Sequence, residues 1–173
     1  MFALVLIGPP GAGKTSVLEA LSDALVVEDV RHAVVETEAL TSAHPALDDE
    51  QWMAPVEAVC GLYRRLGYPL LLVAFTAEAE GGLRALRAAV GADELVVVRL
   101  EAEPATLARR IVEREPAGWS GLDELVAISA RLGPVNAGLD GVALALSTEG
   151  ERPEAVAARI RDAWPAQLRA PAR

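Results

Sequence analysis

At 173 residues, with 52% hydrophobic and 24% charged side chains, the chain has the size and composition of one ordinary soluble domain. Its formal charge of −9 excludes a general binder of nucleic acid or anionic membrane, either of which needs a basic footprint, and no apolar run approaches the length of a membrane span. The single cysteine, Cys60, excludes an internal disulfide and a cysteine zinc cluster; it is expected as a buried small hydrophobe in a reducing, cytoplasmic setting.

The apolar run Phe2 to Ile7 predicts a central parallel strand buried on both faces. It has no basic n-region and leads straight into a glycine loop, so it is not read as a signal peptide. That loop, Gly8-Pro9-Pro10-Gly11-Ala12-Gly13-Lys14-Thr15, is a full G-x-x-x-x-G-K-T phosphate-binding pattern, and Lys14 is the only lysine in the chain. Ser16 to Leu25 follows with Val17, Leu18, Leu21 and Leu25 at helical spacing, giving the strand, loop and helix order that the motif requires. In such a loop the amides of residues Gly8, Pro9, Pro10, Gly11, Ala12, Gly13, Lys14, Thr15 and Ser16 surround phosphate, proline contributing backbone shape rather than a donor. Lys14 would reach the β- and γ-phosphates, and Thr15 would ligate Mg²⁺. The competing reading is a glycine-rich turn that binds nothing.

A second strand is expected at His32 to Thr37, with Leu25 to Val30 as its competitor because Leu-Val-Val-Glu-Asp-Val is also β-like. Thr41 to Asp49 reads as a loop, Glu50 to Leu66 as a helix, and Leu70 to Phe75 as a third strand. A short helix from Gly82 to Val90 precedes a fourth strand, Glu94 to Leu100. Pro104 opens a helix that Pro116 stops near Glu115; Gly118 to Gly121 forms a connector and Leu122 to Leu132 another helix. Gly141 to Ser147 is the fifth strand, and Pro153 starts a last helix ending near Trp164-Pro165. Five parallel strands with helices on both faces make a three-layer, doubly wound α/β domain spanning residues 1–173, whose ligands sit at the carboxyl ends of the strands.

The chain resembles the small P-loop kinases, a group that includes nucleoside monophosphate, shikimate and gluconate kinases and zeta-toxin-like ATP-binding proteins. The likeness extends over most of the chain, with the phosphate loop as its specific part. It implies a P-loop NTPase fold with sheet order 2-3-1-4-5, an acidic acceptor site after the second strand, an arginine-bearing lid near residues 115–131, and an adenine-contacting loop after the fifth strand. Glu36 and Glu38 stand where relatives place acidic residues, and Glu38 is the preferred group to orient or deprotonate an acceptor hydroxyl; the alternative is a solvated acidic loop. Relatives often carry arginine soon after this acid, but here Thr41 and Ser42 occupy the region.

In Pro104 to Arg114, Arg110 and Arg114 lie four apart on one face and match the arginines that contact nucleotide in the family; the alternative is a surface helix with salt bridges to Glu113 or Glu115. Arg109 points elsewhere, and Arg131 is a weaker candidate. Ser147 to Pro153 matches the adenine loop, or is an ordinary strand-to-helix turn. The third strand ends at Thr76 without the aspartate that many P-loop proteins use for the magnesium shell; Thr76 or Glu78, or an acid from strand two acting through water, is a candidate substitute.

With Lys14 alone, the N/T-K-x-D guanine-reading motif is absent, which favours adenine. The chain also lacks the signature segment of ABC-type ATPases and the size and acidic strand-three box of AAA-type motors. His32, His44 and the three tryptophans are expected to be structural, with Trp119 in the lid able to reach a ligand. These readings point to an ATP- and Mg²⁺-dependent phosphotransferase acting on a small-molecule acceptor, as a monomer or homodimer, with Lys14, Glu38, Arg110 and Arg114 as its catalytic groups. The alternative is a nucleotide-binding or ATPase module that signals to a partner protein.

Overall fold

In a computed structural model of the chain, the residues described are 1–48 and 51–164. Their five strands are β1 (Phe2–Ile7), β2 (His32–Glu36), β3 (Leu70–Phe75), β4 (Glu94–Glu101) and β5 (Leu144–Ser147). All neighbouring strands pair in parallel, in the order β2-β3-β1-β4-β5. The expected topology is therefore present, with β1 at the centre of the sheet.

Alternation along the strands sorts their side chains into two cores. Leu4 and Leu6 of β1, Leu72 of β3 and Leu100 of β4 face α1 (Lys14–Val27) and α7 (Pro153–Asp162). Val5, Ile7, Val73 and Val97 face the other layer, where α3 (Ala54–Arg65) and α4 (Glu80–Val90) pack. Every residue of β1 and β3 is buried, which explains why their sequences are continuous apolar runs rather than alternating ones. Cys60 lies buried in the second core as a free thiol, and burial pushes its pKa up, the environment of an inert small hydrophobe. His32 is structural as expected, with Nε2 against the Ser22 hydroxyl and Nδ1 against Val30 O, both at 2.8 Å.

Several boundaries depart from the sequence expectation, for identifiable reasons. The β-like stretch at Leu25 to Val30 does not form a strand: α1 continues to Val27, with Val26 and Val27 exposed at its end. Helical continuity from the buried Val17, Leu18, Leu21 and Leu25 overrides the local β preference. Residues 37–41 form a short helix, α2 (Thr37–Thr41), shortening the second strand to Glu36; the Thr41 hydroxyl donates to Thr37 O at 2.9 Å. The α3 helix starts at Ala54, later than expected, with Pro55 in its first turn. Asp49, Glu50 and Pro165, named above as element ends, and the end of the 1–173 domain span from 165 on lie outside the described residues.

The helix expected to stop at Leu132 is α6 (Leu122–Ala137), which runs on through Pro134. Its last turn is held from outside: Asn136 Nδ2 donates to Ala77 O at 2.6 Å, and Arg99 of β4 donates to Asn136 O and Ala137 O at 3.3 and 3.1 Å. A cation on the free carbonyls of a helix C-terminus offsets the backbone bond that proline removes. Residues 122–131 of the span read as a lid thus belong to a continuous helix, and the irregular part is 115–121.

The sheet interior carries the stability of this arrangement. Leu72→Ala, at a fully buried position facing α1 and α7, is expected to lower the unfolding free energy by about 2–5 kcal/mol with an unchanged denaturant slope, measured by urea unfolding.

Candidate functional site

The site is built at the carboxyl end of β1, where residues 8–13 turn back tightly before α1. A Cβ on Gly8 would stand 2.5 Å from Leu100 O, and one on Gly11 would stand 2.7 Å from Leu107 O. The loop therefore lies against the backbone of β4 and of α5 (Pro104–Arg114) more closely than any other residue type allows. From the opposite side, the buried Ser129 of α6 donates to Pro10 O at 2.7 Å. Lys14, the first residue of α1, curls its ammonium back over the loop and donates to Gly8 O at 2.9 Å and Pro9 O at 3.4 Å. Burial lowers its pKa from 10.5 to about 8; Glu38 opposes that shift, Arg114 adds to it, and Glu36 opposes it.

Two cavities adjoin the loop and share Gly13, Ser16 and Arg110. One, of about 400 Å³, is lined by Pro10, Gly11, Lys14, Thr15 and Arg114 as well. The other, of about 210 Å³, extends to Val17, Thr148, Glu151 and Pro153, so the loop after β5 borders the cleft. A groove of about 450 Å³ between α1 and α7 is floored by Ala20, Ala24, Ala157 and Ala158 and does not include Lys14.

Glu36 and Glu38 occupy different places. Glu36, at the end of β2, accepts the Thr15 hydroxyl at 3.0 Å through Oε2. Glu38, in the first turn of α2, accepts from the hydroxyls of Thr37 at 3.2 Å and Thr76 at 2.5 Å. The sequence favoured Glu38, whereas the carboxylate on the metal-candidate threonine is Glu36. Thr76 takes the position where an aspartate was looked for at the end of β3, and Glu78 is 3.4 Å from Arg131 in an exposed ion pair.

The arginines also separate. Arg110 is committed to three acceptors, Gly11 O at 3.3 Å, Thr148 Oγ1 at 2.9 Å and Thr148 O at 2.8 Å, which bridges the phosphate loop to the loop after β5. Arg114 borders the larger cavity and pairs with Glu115 at 2.5 Å. Arg109 makes an exposed pair with Glu113 at 3.3 Å, the solvated role expected of it. Thr148 and Glu149 fall in the loop expected to contact adenine, without side-chain roles of their own, and Thr106 and Ser129 carry no mark in the sequence. One signal was available: α5 starts at Glu103-Pro104 with no Ser, Thr, Asn or Asp at its N-cap, so its cap had to come from another segment.

The residues fit a magnesium nucleotide. Nothing lies within 4 Å of where a Cβ on Gly13 would stand, leaving open space above the loop amides. Beside that space is a desolvated ammonium whose charge an anion would restore, and a threonine hydroxyl already aligned with a carboxylate. Among the described residues no group of three His, Cys, Asp or Glu could hold a metal. A divalent ion here would rest on Thr15, with phosphate oxygens and Glu36 completing its surroundings.

A family model described as an AAA domain, AAA_33, matches residues 4–128. The chain belongs to this family. At the end of β3, where AAA-type motors are expected to carry an acid, this chain has Thr76. No curated protein matches the sequence. Among solved structures, a sugar kinase from Janibacter sp. HTCC2649 aligns with a TM-score of 0.67 at 18% identity, covering 94% of this chain and 93% of that one. A gluconokinase from Sinorhizobium meliloti 1021 aligns at 0.61 and 22% identity, covering 93% and 94%. A shikimate kinase from Acinetobacter baumannii aligns at 0.56 and 17%, covering 93% and 91%. The fold is that of the small P-loop kinases. No helix among the described residues is long and apolar enough to cross a membrane.

The depressed pKa of Lys14 gives a signed expectation for the free protein. Below about pH 8 folded and unfolded states both carry the proton, and the full cost of burying the ammonium is present. Between about 8 and 10.5 the folded state has released the proton and the unfolded state has not, so stability rises with pH. The unfolding free energy of the wild type minus that of Lys14→Met should therefore increase across this window, measured by urea unfolding at each pH.

Proposed function

We propose that the protein is an ATP-dependent phosphotransferase acting on the hydroxyl of a small molecule. The observation that carries this reading is the desolvated ammonium of Lys14, which borders the open cavity over the phosphate loop and lies within electrostatic reach of Glu38 and Glu36. Phosphoryl transfer needs little covalent help from a protein; it needs positioning and charge stabilisation, which these groups supply.

In this reading the loop amides and Lys14 hold the β- and γ-phosphates, and the adenine enters the smaller cavity beside Thr148 to Pro153. Bound Mg²⁺ supplies charge neutralisation on the phosphate oxygens, with Thr15 as ligand and Glu36 behind it. Glu38 accepts the hydroxyl proton as the acceptor oxygen bonds to the γ-phosphorus, and the bond to the bridging oxygen breaks with its electron pair leaving on ADP. Arg110 acts mainly by fixing the two loops, since its guanidinium is already hydrogen-bonded to both. Arg114, exposed and paired with its half-buried neighbour Glu115, supplies positive charge toward the phosphates by exchanging that partner. Residues 115–121 form the closing lid that excludes water.

The acceptor side is acidic and hydroxylated. Glu36, Glu38 and Thr76 stand there, and Arg131 is paired with Glu78. That composition favours a neutral polyol or an amine-bearing alcohol over a carboxylated or phosphorylated acceptor.

A panel of neutral polyols, amino alcohols, sugar acids and sugar phosphates, incubated with ATP and Mg²⁺ while ADP release is followed against a no-acceptor control, tests the proposal. Acceptor-dependent release is expected from the first two groups, with kcat reduced about 10²–10⁴-fold in Glu38→Gln. Release that no acceptor stimulates would replace the kinase with an ATPase or nucleotide-dependent signalling module.

A further inference from the structure

Glu149 lies outside the roles assigned above, yet it holds together the cleft that would take the base. The N-terminus of α5 has no cap of its own: Glu103, its N-cap residue, has extended ψ at 142° and makes no side-chain cap bond. The cap arrives from the loop after β5. Glu149 Oε2 accepts the Glu103 N–H at 3.1 Å, and Oε1 accepts the Thr106 hydroxyl at 2.7 Å. A carboxylate at this end also meets the positive end of the helix dipole. The Thr106 hydroxyl and Glu103 N–H, with the charges of Arg110 and Arg109 behind them, hold the Glu149 carboxyl below the usual carboxylate range.

The neighbouring contacts give this cap a wider consequence. Thr106 and Arg110 are one turn apart on α5, so they share a face. Thr106 grips Glu149 while Arg110 grips Thr148 through both its carbonyl and its hydroxyl. Arg110 then continues to Gly11 O in the phosphate loop. Thr148 is anchored beneath by its N–H on Glu101 O at 2.8 Å. The wall of the smaller cavity is thus clamped to α5 at two successive residues, while the phosphate loop, besides its bond from Arg110, packs directly on that helix where Gly11 meets Leu107.

We propose that Glu149 is a positioning residue for nucleotide-base binding: by capping α5 from the loop after β5, it fixes that loop where the base is contacted, without serving the phosphates. This rests on the reading of the smaller cavity as the base site. The two halves of the cleft can be separated with two probes, ATP and inorganic tripolyphosphate, because only ATP carries a base.

The test is calorimetric affinity for both probes, with Mg²⁺ present, in the wild type, Glu149→Ala, Glu149→Gln and the surface control Glu113→Ala, alongside the melting temperature. Glu149→Ala is expected to weaken ATP about tenfold while tripolyphosphate stays within about twofold, and Glu149→Gln, which keeps one acceptor oxygen, to recover part of the loss. The control should match wild type for both probes. Equal losses for ATP and tripolyphosphate, or no loss for either, would overturn the proposal. If Glu149→Ala does not fold, Thr106→Val, which removes only one of the two contacts, must show the same selective loss at about threefold. A wild type that binds tripolyphosphate as well as ATP would remove the base-site reading, and one that binds neither would remove the phosphate-loop reading itself.

Discussion

The approach of residues 8–13 to the backbones of β4 and α5 is the contact on which the rest of the site depends. With Gly8 against Leu100 O and Gly11 against Leu107 O, the loop cannot accept a Cβ at either point without displacing backbone. This closeness sends the loop amides and the first turn of α1 toward the same open space. It also leaves the Lys14 ammonium over the loop carbonyls, desolvated and poorly balanced in the free protein. An anion in the cradle would give that ammonium a better partner than Gly8 O and Pro9 O. The free site therefore stores an unfavourable electrostatic term that ligand relieves.

The sheet order converts this local turn into a cleft with two chemically distinct sides. Because β1 lies between β3 and β4, the cradle opens toward β3 and β2 on one flank and toward β4 and β5 on the other. The first flank carries Glu36, Glu38 and Thr76; the second carries the Arg110 bridge and the loop after β5. Strand order alone separates an acidic, hydroxyl-rich side from a side suited to a nucleotide. Such a division at the carboxyl ends of strands is what a doubly wound sheet provides at its topological switch point.

How far the sequence revealed this depends on how local each cause is. The buried strands β1 and β3 and the phosphate loop are set by short-range pattern and glycine sterics, so they are legible residue by residue. Element ends were less so: Val26 and Val27 favour a strand locally but stay in α1, and Pro134 stays inside α6 because Arg99 and the carbonyl of Ala77, from different segments, hold the final turn. Within the site, the spacing of Glu36 and Glu38 announced an acidic pair but not which acid meets Thr15, since that depends on where β2 ends and α2 begins. Arg110 was identified by spacing, whereas its acceptors on Gly11 and Thr148 come from segments distant in the chain. The side-chain role of Glu149 was missed for the same reason; it arises from an uncapped helix 43 residues away.

A triphosphate seated against Lys14 would restore the charge of its ammonium. Calorimetric titration of Mg·ATP, about one pH unit above the Lys14 pKa of about 8, in two buffers of different ionisation enthalpy, reads this directly. The account predicts net proton uptake on binding in the wild type, because the phosphates raise the pKa of the ammonium, and weaker binding without that uptake in Lys14→Met. Equal affinity in the two proteins, or binding with no difference in proton uptake between them, would contradict it.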